Sequence, residues 1–207
     1  MKPVSKFFAV VCLWCFFLAN GMVPVFAGEV ERVRAKIGVK IKRGEQVYRA
    51  KSRERIQAGD LLRIYVHPER SSYIYVVHTD GKTAQLLNLT RQKAQSSTLV
   101  LPSVQTYYKV DGKSPREGLV IVCSPEELPD LSGLENGSMP SDKWAKMEKE
   151  LVEKSRVVVT GNDEPRFEIA GNVRGVGPGD GDPFVEELRV FSGKGILVKK
   201  YELEVRK

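Results

Sequence analysis

Apolar and polar residues alternate with a period of two over much of the chain. Val33, Ala35, Ile37, Val39 and Ile41 take every second position, with mostly charged residues between them, which predicts a strand with one buried face. Arg43-Gly44 offers a bend, and Glu45–Arg49 starts a return strand, so Glu29–Tyr48 is predicted as an opening hairpin. The stretch Gly59–Leu89 repeats the pattern three times, as Leu61–His67, Tyr73–Thr79 and Thr83–Leu89. In the first of these, Leu62, Ile64 and Val66 fall on one face and Leu61, Arg63, Tyr65 and His67 on the other. Tyr73–Thr79 is rich in β-branched and aromatic side chains, which suit a pleated, half-buried surface. Pro68 has no N–H to offer a ladder and ends its strand, and Asp80-Gly81 tolerates the positive φ of a tight turn. The block therefore predicts three consecutive strands of one antiparallel sheet.

Further on, Thr98–Leu101 and Val104–Val110 read as short strands, stopped by Pro102 and by Asp111-Gly112. Leu119–Cys123 is apolar on both faces, the mark of a central strand covered on both sides. Ser124–Pro140 reads as a boundary or long surface connection. The period then changes. Trp144, Met147, Leu151 and Val152 make a narrow helical stripe over Ser141–Ser155, with Ser141 or Asp142 placed to cap it. Arg156–Thr160 and the region of Phe167 and Ile169 suggest weak strands, and Arg174–Pro183 is too glycine-rich for regular structure. Phe184–Phe191 and Ile196–Val205 are predicted to pair as a hairpin around Ser192–Gly195. The resulting fold class is mainly β: an antiparallel β-sandwich or open barrel, immunoglobulin-like or jelly-roll-like, with one amphipathic helix. Residues 28–128 form the core domain, and residues 129–207 supply a linker, the helix and strands expected to complete it.

The first 27 residues change the picture. Lys2 and Lys6 precede an almost wholly apolar run, Phe7–Met22, and Val25 and Ala27 are the small residues of a cleavage site, so residues 1–27 read as a secretory signal peptide. The run is shorter than the roughly 20 residues that span a bilayer, so no transmembrane segment is expected after cleavage. Cys12 and Cys15 leave with it, and Cys123 alone of the three cysteines remains, so stability must come from an apolar core. Once Lys2 and Lys6 are taken from the 33 basic residues, against 26 acids, the net charge is +5. Basic residues concentrate in Arg32–Arg55, which holds ten of them against Glu45 and Glu54. A solvated face and an anion-binding face are both compatible with that bias.

Reactive motifs are scarce. The two histidines, His67 and His78, are expected at neighbouring strand ends, and zinc takes three or four ligands. Cys123 ends a buried strand, but its flanks, Ile-Val-Cys-Ser-Pro, lack the signature of cysteine peptidases. The run Gly175–Gly181 lacks the Lys-Ser/Thr ending of a phosphate loop, and Asp163, Asp180 and Asp182 read as a flexible glycine–aspartate stretch rather than a calcium site. Asn88-Leu89-Thr90 is a glycosylation sequon lying on a predicted strand. Tyr65, Tyr73, Tyr75, Tyr107 and Tyr108 are the candidates for an exposed recognition face. No catalytic residue, metal ligand or cofactor is assigned, and no nucleic acid partner is expected.

Gly59–Ile64, Ser72–Gly81 and Leu86–Leu89, followed by Leu101-Pro102-Ser103 and Glu117–Ser124, resemble an uncharacterised bacterial family, domain of unknown function 4384, over about residues 41–128. Leu86–Leu89 departs from the Leu-Tyr/Phe-Pro-Asn form associated with that family, and residues 129–207 lie outside the likeness. The resemblance implies a β-rich extracytoplasmic module with a binding or accessory role and no agreed catalytic residues. The expected function is an exported, periplasmic or secreted, non-catalytic module acting on a protein or cell-envelope partner. Two alternatives stand beside it: a cysteine hydrolase using Cys123 with His67 or His78, and adhesion to anionic glycan or lipid through Arg32–Arg55.

Overall fold

A computed structural model describes residues 32–88, 93–94, 97–134, 137–155 and 182–206. Its strands are β1 (Arg32–Arg43), β2 (Gln46–Arg49), β3 (Arg53–Gln57), β4 (Leu61–Pro68), β5 (Tyr73–Thr79) and β6 (Thr83–Leu86). They continue with β7 (Leu99–Leu101), β8 (Tyr108–Lys109), β9 (Arg116–Ser124), β10 (Ser138–Pro140), β11 (Arg189–Lys194) and β12 (Leu197–Arg206). Among the described residues, one α-helix, α1 (Ser141–Ser155), and two 3₁₀ helices, Pro129–Leu134 and Pro183–Glu187, complete the elements.

The strands form a β-sandwich of two six-stranded sheets, not a closed barrel. The first sheet runs β11-β1-β4-β7, with β2 also on β1 and β8 on β4. The second runs β10-β6-β5-β9-β12-β3, antiparallel except for the parallel β12–β3 pair. The alternation in β1 and β4 sends Ile37, Val39, Ile41, Leu62, Ile64 and Val66 inward. Ile74 and Val76 of β5 and Ile121 and Cys123 of β9 meet them from the other sheet. Residues beyond 128 contribute β10 and β12 to the second sheet and β11 to the first.

The second sheet is covered outside as well. Tyr75, Val77, Val120 and Val122 pack under Trp144 and Leu151 of α1 and under Leu131 and Leu134 of the 3₁₀ helix. That cover makes β9 the strand buried on both faces that its sequence predicts. Lys200 Nζ on β12 reaches Glu148 at 2.7 Å and helps dock the helix. The helix has its expected bounds, but its stripe is narrower than expected. Val152 is 44% exposed, and the buried residues of α1 are Trp144, Leu151 and Ser155. The Ser141 hydroxyl donates to the Gly81 carbonyl at 3.0 Å, tying α1 to the β5–β6 turn.

The pairing of consecutive strands departs from expectation in two places. β4 pairs with β1, β7 and β8, whereas β5 pairs with β6 and β9, so the chain crosses between sheets at Glu69–Ser72. Either arrangement sends Leu62, Ile64, Val66, Ile74 and Val76 into the same interior, so the side-chain pattern is silent on the choice. Likewise, Phe184–Phe191 does not form a hairpin with the last strand. Pro183–Glu187 is a 3₁₀ helix, β11 pairs with β1, and β12 pairs with β9 and β3. The strand predicted over Val104–Val110 narrows to Tyr108–Lys109, and that over Thr83–Leu89 is a strand only to Leu86. The signal peptide, the predicted strands at 156–160 and near 167–169, and Gly175–Gly181 lie outside the described residues.

Candidate functional site

The candidate catalytic side chains do not meet. His67 is on β4, pointing out of the first sheet opposite Lys36, with Nδ1 3.0 Å from the Thr98 hydroxyl. Burial, and then the Lys36 charge, hold its pKa below the ordinary imidazole value. His78 is in the other sheet, opposite Leu119. Cys123 pairs with Ile74, four residues from His78 along the β5–β9 ladder, or about 13 Å at roughly 3.3 Å per residue. The thiol is fully buried, which pushes its pKa up to about 12, and an uncharged inaccessible thiol is a poor nucleophile. Among the described residues no group of three His, Cys, Asp or Glu side chains is placed to hold a metal.

The predicted recognition tyrosines are dispersed. Tyr65 and Tyr75 are buried on opposite outer faces of the sandwich, and Tyr75 Oη accepts the Leu128 N–H at 2.9 Å. Tyr107 stacks on the Arg63 guanidinium at 3.8 Å, and Tyr73 lies near Lys93. The basic run is dispersed too. Arg34 faces Glu69, Lys40 binds Asp182, Arg43 binds Asp60, and Arg53 and Arg55 face Glu202 and Glu204 across the parallel β3–β12 pair. Its charges are shared between different surfaces and largely matched. Asn88 of the sequon is buried: its amide accepts from Val76 N–H at 2.8 Å and donates to Ile74 O at 2.7 Å, extending the β5 ladder in place of a strand residue.

Two sites of concentrated polarity remain. The first lies on the outer face of the first sheet, where Lys40 and Arg63 are cross-strand neighbours. Between them sits Asp182, the cap of the 3₁₀ helix. It accepts from Lys40 Nζ at 2.9 Å, Arg63 Nη1 at 3.2 Å, the Tyr65 hydroxyl, and Phe184 N–H at 3.1 Å. Burial raises the Asp182 pKa, but the hydrogen bonds from Tyr65, Lys40 and the Phe184 amide outweigh it and hold the carboxyl below its ordinary range. A carboxylate has about four lone-pair positions, and these donors fill them. The cluster is a clamp for the segment that lays Phe184 on Tyr65, with ring centroids 5.1 Å apart.

The second site is open. A cleft of about 790 Å³ lies at one end of the sandwich, between the sheets. At its base Leu62 and Ile64 from the first sheet and Leu119 and Leu203 from the second are packed as core, and half-buried Leu87 and Tyr108 face the opening. Two turns form the rim, Asp80–Lys82 and Asp111–Arg116, and the Ser114 hydroxyl joins them by donating to Asp80 O at 2.8 Å. Gly81 has φ +83°, as its turn requires. Asp80 accepts the N–H groups of Lys82 and Thr83 at 2.9 and 2.7 Å, and those bonds lower its pKa. Backbone connections from Gly59 and Asp60 to Val110 fix the far wall. Asp60 in turn is gripped by Arg43 at 2.9 and 2.6 Å and by Gln57 N–H. His78 and Glu117, on the neighbouring strands β5 and β9, lie 3.5 Å apart along one wall of the cleft.

A neighbouring recess of about 650 Å³ is walled by Arg53, Arg55, Glu202 and Glu204, already cross-paired and solvated. Exposed pairs of this kind contribute little, and Leu203 is the one large apolar side chain among the recess's described lining residues. The inter-sheet cleft is therefore the better candidate, since ligand sites are mostly apolar concavities with a few placed polar groups. Sequence reasoning named His78 and Tyr108 but not the cleft, which arises from turns that are far apart in the chain. No helix among the described residues is long and apolar enough to cross a membrane. No protein-family profile, curated protein or solved structure matches the chain.

Proposed function

We propose that the protein is an exported, non-catalytic β-sandwich module that holds a component of the cell envelope, and that the inter-sheet cleft is where it does so. The observation that carries this reading is a cleft with an apolar base and a charged rim at one end of the described sandwich. A thiol sealed in the core and two imidazoles on different sheets supply no nucleophile–base pair beside that opening. The apolar run before residue 28 and the resemblance to an extracytoplasmic bacterial family support export and an accessory role.

Affinity capture from an envelope extract tests the reading when wild type is compared with Leu87→Trp. Leu87 is half-buried at the cleft, outside any strand, so an indole there fills the cavity without breaking a ladder. A component retained by wild type and lost from Leu87→Trp is the expected result. Equal retention by both places binding elsewhere.

A further inference from the structure

We infer that the cleft takes a single-chain amphiphile with an anionic head, of the fatty-acid class: the acyl chain lies between the sheets and the carboxylate meets the rim. This rests on the cleft being the binding site.

The apolar surface open to a ligand is supplied by half-buried Leu87 and Tyr108, over a base of packed aliphatic side chains, Leu62, Ile64, Leu119 and Leu203. That base gives a sugar no hydrogen-bond partners, which stand only at the rim, and with Tyr108 alone among Phe, Tyr and Trp it gives no stacking platform for bases. It does suit an alkyl chain, which gains roughly 0.8 kcal/mol for each CH₂ removed from water. A volume of about 790 Å³ lies within the usual range for a small-molecule site and accommodates one chain with its head at the mouth.

The rim sets the sign of the head. It carries Lys82, Lys109, Lys113 and Arg116 against Asp80, Asp111 and Glu117. All three acids are already engaged. Asp80 accepts two backbone N–H groups of its own turn, Asp111 holds Lys113 at 3.2 Å, and Glu117 faces His78. Lys82, Lys109 and Arg116 are exposed and make no ion pair among the described residues. Four cations against three acids leave the rim with a small positive excess, and Lys82, Lys109 and Arg116 carry it at the edge of an apolar wall that favours desolvation of an ion pair.

The test is isothermal titration calorimetry of the purified full chain with dodecanoate, with butyrate, which has the head without the chain, and with dodecyltrimethylammonium, which has the chain with the opposite head. Saturable one-to-one binding of dodecanoate is expected, with no detectable butyrate heat and the cationic amphiphile about tenfold weaker or worse. Leu87→Trp is expected to abolish dodecanoate binding. The surface variant carrying Lys82→Glu, Lys109→Glu and Arg116→Glu should fold normally, bind at least about tenfold more weakly and reverse the salt dependence, since added salt then screens a repulsion. Absence of dodecanoate binding, equal binding of the cationic amphiphile, or binding that survives both variants would overturn the assignment. If dodecanoate fails while Leu87→Trp still loses an envelope component, the ligand class is wrong and the cleft stands. If that variant loses nothing, the cleft itself is the wrong place.

Discussion

A carboxylate ringed by two cations, a phenol and a backbone amide resists protonation, and Asp182 is held in that way. Its folded pKa is depressed against an unfolded value of about 3.9. Its contribution to stability is thus fully present above the unfolded pKa and is lost as pH falls through the folded one. Asp60, gripped by Arg43, behaves the same way and adds to the loss in acid. Asp182→Asn should cost about 3 kcal/mol at neutral pH, because Lys40 and Arg63 would face each other, largely buried, without an anion. Urea unfolding at pH 7 and pH 3 checks this: the difference between variant and wild type should shrink in acid. A variant as stable as wild type at pH 7 would show that the clamp is idle. The sequence held a partial clue, since an acid before proline is a helix-start signal, and Asp182-Pro183 begins the 3₁₀ helix. The surrounding glycines masked it, and nothing local could reveal partners 117 to 142 residues away.

Elements were legible where the period was clean. Residues Val33 to Ile41, Tyr73–Thr79 and Ser141–Ser155 lie in the strands and helix that their patterns predict. Partner choice was not legible, because alternation assigns faces and leaves sheet membership open. The crossing between β4 and β5 and the separation of β11 from β12 both follow from that gap. The outer face of the first sheet shows the same limit. Lys36, Gly38, Lys40 and Lys42 read as a solvated row, yet Gly38 and Lys40 are buried. A Cβ on Gly38 would stand 2.6 Å from Leu188 Cδ2 and 3.2 Å from Phe184 Cε1. The glycine is thus the seat of the 3₁₀ segment. Gly38→Val should cost about 1–3 kcal/mol through overpacking, and the 3₁₀ segment should lift first. Thermal unfolding measures the first effect, and faster amide exchange confined to Phe184–Leu188 the second. An unchanged midpoint and exchange pattern would mean that the segment does not depend on this contact.

At the scale of the described residues, the sandwich carries the 3₁₀ segment on one outer face and α1 on the other, with the cleft at one end. The basic run is matched by acids on several different surfaces, and the rim of the cleft carries four basic residues against three acids. The central claim is that ligand enters that opening. Backbone amide chemical shifts recorded by NMR during titration of the chain with dodecanoate test it most directly. The account predicts saturable shifts in Asp80–Leu87 and Lys109–Leu119, with Lys40, Arg63 and Asp182 unmoved on the far face. Shifts centred on Lys40, Arg63 and Asp182, or on α1, with the two rim turns silent, would contradict it.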